Sequence, residues 1–382
     1  MFSNYIGILN LNEDESNLRS LSLNRPLASI PIYGRYRIID FILSNLVNAG
    51  VKSVGIFAQT YSRSLMDHLG IGKPWDLNRR KDGLFIFNYS LNNSIINDVI
   101  QFKENIEYFY KNKGDYVILA SSRMLCNIDL EKAALYHEKS KNDVTVIYKN
   151  VKGDDETFLN CDVLNIDENN RVLSVGKIIG LNCNVNISMD ILIMKKDFLI
   201  ECIYKSIENG NYSSLKNYIY NNCNKINIGV YEFKGYLSCI NSIRSYYKTS
   251  MDILDTDIRE ELFFKNGKIY TKSNNSPPTK YCKESEVKNS IISNGCIIKG
   301  SIKNSILSRS VKIDYDTIIE DSIIFGNCVI GKGAKLKNVI LDKNVVVEEG
   351  KNLIGDKKFP VVIEKGEVVK NLYKKAEGSY KA

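Results

Sequence analysis

Three consecutive carboxylates, Glu13, Asp14 and Glu15, follow the first apolar run of the chain, Tyr5 to Leu11. That run is short, apolar and close to the N-terminus, which predicts a buried β-strand. In a nucleotide-binding α/β domain the next turn is rich in glycine. Backbone N–H groups then reach a phosphate chain, and a helix N-terminus adds positive potential. Here the stretch Asn10 to Asn17 holds no glycine. Its carboxylates repel a triphosphate at short range. Cationic residues suited to anions come later: Arg25, Arg35 and Arg37 offer guanidinium forks that match phosphate esters. A bridge from Arg37 to Asp40 or a neighbouring carboxylate is the plain structural alternative. The basic run Arg79-Arg80-Lys81 reads as a solvated loop, with Trp75 and Phe85 as loop-anchoring hydrophobes.

The elements that must position these residues alternate between periods. Strand-like runs are 51–59, 115–121, 143–149, 161–167, 190–196 and 225–233. Helix-like runs are 41–50, 101–114, 130–142 and 198–210, with Gly50 placed as a C-cap and Asp129 as an N-cap. Such alternation predicts a mostly parallel, Rossmann-like sheet with helices on both faces. At 382 residues two domains are expected. The polar stretch 272–283, with Pro277 and Pro278, is the expected linker between domains 1–271 and 284–382.

Beyond it a small residue precedes a β-branched one repeatedly: Ser290-Ile291, Cys296-Ile297, Ser301-Ile302, Ser305-Ile306, Ser322-Ile323, Cys328-Val329. Steps of four to seven residues, with interspersed glycines, predict a parallel β-helix of hexapeptide type. A meandering sandwich of short strands is the alternative. The two histidines are His68 and His137, so the repeat region lacks the histidine base that acyltransferases of this architecture use.

Composition is globular: 44% hydrophobic and 25% charged residues, with a net charge of +8. The cations are dispersed, which argues against a nucleic-acid module. Nine cysteines show no C-x-x-C spacing, so neither a zinc motif nor a disulfide framework is expected. No leader-like segment and no spanning apolar run is seen, and a cytoplasmic, membrane-free location is the expectation.

The two halves together resemble the bacterial ADP-glucose pyrophosphorylases, or glucose-1-phosphate adenylyltransferases. The stretch Asn24 to Val51 (NRPLASIPIYGRYRIIDFILSNLVNAGV) is similar to the family's R-A-K-P…G-G-K-[FY]-R-I-I-D-F-x-L-S-N. Residues Tyr61 to Phe87 resemble its non-catalytic D-type branch. The resemblance implies a nucleotidyltransferase domain followed by a left-handed parallel β-helix. It also shows where this chain departs from catalysis. The glycine-free turn replaces the phosphate loop, and Leu27 stands where a lysine is expected. The base- and sugar-contacting loop aligns with Asn97 to Gln101. The two metal aspartates align with Ser122 and Cys239. A hydroxyl and a thiol are poor ligands for Mg²⁺, which takes anionic oxygen. Lys177 aligns with the glucose-1-phosphate lysine. Arg25, Arg35 and Arg37 fall near the family's effector site between the two domains, and are expected to line an anion or effector pocket or to brace the domain interface.

The resemblance therefore implies a regulatory, non-catalytic subunit that supports ADP-glucose synthesis for glycogen. It would bind no cofactor itself, Mg²⁺ would belong to the catalytic partner, and the assembly would be a hetero-oligomer, a tetramer. Catalytic residues are then none. Two rival readings are a remodelled active nucleotidyltransferase that takes metal on Asp98, Asp115 or Asp162, and a sugar-phosphate-sensing scaffold without a catalytic partner.

Overall fold

In the computed structural model, residues 4–58, 63–88, 97–152, 156–178, 183–210 and 214–370 are described. Nine strands form one sheet: β1 (Tyr5–Leu11), β2 (Ser53–Ala58), β3 (Gly83–Asn88), β4 (Tyr116–Ala120), β5 (Val144–Lys152), β6 (Asp162–Ile166), β7 (Val172–Lys177), β8 (Asn184–Lys195) and β9 (Ile228–Glu232). Their order is β7-β6-β8-β4-β1-β2-β3, and β5 joins β8 to β9. The half built on β3, β2, β1 and β4 is parallel. The long strand β8 runs antiparallel to β4, β5 and β6, so the Rossmann-like sheet is mixed.

Alternation along β1 explains its burial. Tyr5, Leu9 and Leu11 pack on one face, with helix Ile39–Asn48 and helix Leu130–Lys139. Ile6 and Ile8 pack on the other, beside Phe102, Phe109, Leu199 and Ile219. The caps expected from the sequence are present. Asp129 accepts from the Lys132 N–H at 3.2 Å, and Gly50 takes φ +81 just past its helix. The single helix expected over 101–114 is instead two, Asp98–Glu104 and Ile106–Lys111. Asn105 interrupts it by turning its side-chain amide onto the Gln101 carbonyl, 2.9 Å away. Trp75 is buried, as expected of an anchor, whereas Phe85 is 41% exposed with its ring against Tyr108.

The C-terminal domain is a left-handed β-helix of three parallel sheets with six, five and five strands. Ile298, Ile302 and Leu307 line the interior of one coil, and Ile313, Ile319 and Ile324 line the next. Small residues do serve the corners. The Ser290, Ser305 and Ser322 hydroxyls each accept a backbone N–H from the following coil at 3.0–3.2 Å. The residues before them, Asn289, Asn304 and Asp321, take φ between +42° and +47°, which Asn and Asp tolerate best among residues with a Cβ. The helix starts earlier than the expected boundary. Lys280–Tyr281 already pairs with Ile297–Ile298, within the stretch read as linker.

Ile306, Ile323 and Ile340 point outward from one sheet and dock on Tyr33, Phe41 and Tyr246 of the N-terminal domain. Their neighbours Leu307, Ile324 and Leu341 point inward. The Ile-Ile and Ile-Leu pairs of that sheet therefore fill two cores at once.

Candidate functional site

The acidic turn folds back into the mouth of the sheet. The Glu13 carboxylate accepts hydrogen bonds from the Ser122 N–H at 2.6 Å and from the Ser122 hydroxyl at 2.7 Å. Burial pushes the Glu13 carboxyl above its ordinary range, against the pull of those hydrogen bonds. Glu15 accepts the Leu27 N–H at 2.6 Å, and burial, aided by Glu13 and Asp14, lifts its carboxyl to about 7. Asp14 is spent locally on the Ser16 N–H. The turn thus caps the ends of β1 and β4 with side-chain carboxylates where a phosphate loop would offer N–H groups.

Ser122 and Cys239 are brought close together. Cys239 pairs with Met124 in a short antiparallel ladder, and the Ile240 N–H bonds to the Arg123 carbonyl. The groups around them do not fit Mg²⁺. The Cys239 sulfur lies 3.4 Å from the Cys161 sulfur, and both are fully buried. The hydrogen bond from Cys161, helped by Arg123, pulls the Cys239 thiol below its usual range. Two side-chain cations occupy the region that a metal would neutralise. The Arg123 guanidinium binds Asp190 at 2.6 Å, and the Lys216 ammonium bridges Asp162 (2.6 Å) and Asp190 (2.7 Å). A bulge in β8 between Ser188 and Ile191, with Asp190 at φ +54, aims that carboxylate inward. Burial opposes ionisation of Asp190, but Arg123 and Lys216 overcome it and hold the carboxyl well below the usual carboxylate range. The ion network is closed without a metal. Among the described residues no three His, Cys, Asp or Glu side chains are grouped so as to hold a metal ion.

Asp98, Asp115 and Asp162 are not brought together. Asp98 is buried against the Asn10 amide (2.6 Å) and the Leu215 N–H (3.1 Å). Asp115 sits before β4, next to Asn4, whereas Ser122 follows that strand. At ~3.3 Å per residue this puts them roughly 20 Å apart. Asp162 is taken by Lys216 and by Lys177, the latter at 2.6 Å and half exposed at the end of β7. Asn97 to Gln101 is the N-cap and first turn of a helix.

Arg35 and Arg37 lie together in a cleft of about 310 Å³ between the two domains. Lys272, Arg309 and Lys343 share it. Arg37 donates to the Ser29 and Ser64 carbonyls and to the Ser64 hydroxyl, while its backbone N–H goes to Asp40. Asp40 also receives buried His68, whose imidazole burial holds below its ordinary pKa. The bridge from the Arg37 guanidinium to Asp40 considered from sequence is thus a backbone contact. Arg35, Lys272, Arg309 and Lys343 form no ion pair with a carboxylate among the described residues. Burial, with Arg37 and Arg25 nearby, lowers the Lys343 ammonium to about 8.

Arg25 does not line that cleft; of the two roles expected from sequence, pocket or domain brace, it takes the brace. Its guanidinium is buried on Asp342 of the β-helix, beneath the Phe325 ring, and its Nε donates to the Leu21 carbonyl. It joins the domains. Sequence reasoning missed Lys272, Arg309 and Lys343. The coil repeat held a signal for two of them, because Arg309 and Lys343 stand two coils apart on one column.

A mixed α/β sheet of this order carrying a hexapeptide β-helix defines the class of the sugar-nucleotide nucleotidyltransferases. A nucleotidyl transferase family profile matches residues 16–174, and a GlmU-like C-terminal hexapeptide profile matches residues 277–366. Glycogen biosynthesis protein GlgD of Bacillus subtilis (strain 168) is 33% identical over 370 residues, 96% of this chain and 97% of that protein. GlgD of Geobacillus stearothermophilus is 35% identical over 323 residues, 84% of each chain. A glucose-1-phosphate adenylyltransferase of Bacillus cereus is 26% identical over 344 residues, 88% of this chain and 90% of that one. The chain belongs to the GlgD family of glycogen biosynthesis proteins, relatives of the glucose-1-phosphate adenylyltransferases. Among the described residues no helix is long and apolar enough to cross a membrane.

Proposed function

We propose that this chain is a non-catalytic regulatory subunit of glucose-1-phosphate adenylyltransferase. It assembles with a catalytic paralogue that makes ADP-glucose from ATP and glucose 1-phosphate for glycogen. The catalytic subunit carries the Mg²⁺. One observation supports this reading most: the mouth of the sheet is filled by its own charges. Glu13 caps Ser122, and Arg123 and Lys216 neutralise Asp190 and Asp162. Adenylyl transfer needs Mg²⁺ to bridge phosphates and stabilise departing pyrophosphate. Loss of such transition-state electrostatics costs roughly 10³-fold or more in rate.

The interdomain cleft of Arg35, Arg37, Lys272, Arg309 and Lys343 is the proposed site of an anionic effector, a sugar phosphate in chemical class. Several cations without a carboxylate partner, drawn from both domains, present the excess positive charge that a phosphate ester requires. The test is kinetic. The catalytic paralogue is assayed for pyrophosphate release with and without this chain, across a phosphate-ester titration. A change in maximal rate or effector response, with co-purification of the two chains, supports the proposal. Mg²⁺-dependent turnover by this chain alone overturns it.

A further inference from the structure

A cavity of about 610 Å³, larger than the interdomain cleft, belongs to neither site described above. It is a groove beside strand β9 and helix Leu130–Lys139. Tyr136, Tyr148 and Tyr231 line it, over buried Phe233. The Tyr136 and Tyr231 rings lie 5.5 Å apart at 55°, and Tyr136 is 37% exposed. Their ring faces are not consumed by a close stack. Three rim lysines each have a carboxylate neighbour: Lys132 with Asp129 at 2.9 Å, Lys234 with Glu232 at 3.6 Å, and Lys265 with Glu261 at 3.3 Å.

From this pattern we propose that the groove binds a neutral polyhydroxylated chain, an α-1,4-linked glucan. Aromatic faces carry the apolar C–H surface of a pyranose ring. Each ammonium–carboxylate pair presents a donor and an acceptor about one hydrogen bond apart. A vicinal diol, which both donates and accepts, satisfies both. Phosphate binding needs cations in excess, as the interdomain cleft has. Here each rim cation is offset by a carboxylate, and a nucleotide or sugar phosphate finds no such excess. The choice of glucan among neutral sugars rests on the glycogen-related reading above. The groove would hold the chain near the polymer that consumes ADP-glucose.

The test titrates maltoheptaose into ¹⁵N-labelled full-length protein, and repeats it with Tyr136→Ala, Tyr231→Ala and Tyr231→Phe. Saturable shifts at millimolar ligand, confined to the groove, are expected. Each alanine variant weakens binding about three- to tenfold, the size of one lost aromatic contact, and Tyr231→Phe retains it. Migration in glycogen-containing native gels, retarded for the wild type and not for the double alanine variant, is the second readout. Absence of saturable shifts at millimolar ligand overturns the proposal. So does stronger binding of ADP-glucose at the same residues. Cellohexaose binding equal to that of maltoheptaose removes the α-1,4 assignment. Neither readout involves a catalytic partner, so failure here is separable from failure of the subunit reading.

Discussion

Breaking the buried bridge between the domains should uncouple them without touching anion recognition. Arg25 and Asp342 are both almost fully buried, and the guanidinium also donates to the Leu21 carbonyl at 3.0 Å. Removing one partner leaves the other charged and dry, which costs about 3–5 kcal/mol. Replacing both with apolar residues of similar size brings the loss back to within about 1 kcal/mol. Arg25→Met and Asp342→Leu therefore lose far more singly than together. Urea unfolding followed at the single tryptophan, Trp75, reports the N-terminal domain, and far-ultraviolet circular dichroism reports both. The two probes should coincide in the wild type and separate in the single variants. Phosphate titration provides the functional half of the test. Lys343 is held near 8 by burial and by the positive charges of Arg37 and Arg25. Arg25→Met removes one repelling charge, so phosphate affinity just above that pH is unchanged or rises. Arg35→Ala, in the cleft itself, lowers it roughly tenfold, as loss of one charge-assisted hydrogen bond does. Single variants that lose under about 1 kcal/mol, or an Arg25→Met protein that loses phosphate binding, would refute this assignment of Arg25.

Phosphate binding to the cleft should weaken as pH rises through about 8, because Lys343 is charged below that value and neutral above it; Lys343→Met should abolish the step in an isothermal titration series. Glu15 binds its proton more tightly folded than unfolded, its carboxyl being raised from 4.5 to about 7. The folded state therefore gains stability from it at low pH and loses up to about 3 kcal/mol as pH climbs through that interval. Glu15→Gln should flatten that part of the pH–stability curve measured by urea unfolding, and an unchanged slope would exclude it. Installing both missing carboxylates, Ser122→Asp with Cys239→Asp, should give no Mg²⁺-dependent pyrophosphate release. The carboxylate introduced at position 122 would stand against Glu13, and recovered turnover would show that two residues alone separate this chain from an enzyme.

The legible part of the sequence was what periodicity encodes. The short apolar run Tyr5–Leu11 and the Asp129 cap were readable because each depends on neighbours in sequence. The serine-and-isoleucine steps announced a β-helix because every coil repeats the same inward position. Less legible was which of two adjacent apolar residues faced outward. Only tertiary docking shows that Ile306, Ile323 and Ile340 leave the prism for the N-terminal domain. The antiparallel course of β8 was hidden for a similar reason, since a strand buried on both faces reads alike in either direction. At the site, the absence of the phosphate loop was visible, yet its replacement was not. Glu13 meets Ser122 across 109 residues, and Lys216 meets Asp162 across 54. For Arg25 the choice between effector pocket and domain brace stayed open, because an arginine in an apolar stretch has no sequence mark that separates a buried brace from a ligand.

The substitutions at Ser122 and Cys239 are coherent only when taken with the cations beside them. A buried carboxylate such as Asp190 cannot remain charged alone, because desolvation costs several kcal/mol. Here Arg123 and Lys216 meet that charge within the chain. Adding carboxylates at the two altered positions would supply metal ligands to a space already neutral, and Mg²⁺ would then compete with tethered cations at high effective concentration. The same logic explains the acidic turn. On the proposed reading no triphosphate is received, so the buried Ser122 N–H needs an acceptor, and Glu13 supplies one from the turn after β1. Ser122, Asp162 and Asp190 each have a partner within the chain, and on the proposed non-catalytic reading that internal satisfaction, more than any single missing aspartate, disfavours nucleotide and metal at the mouth.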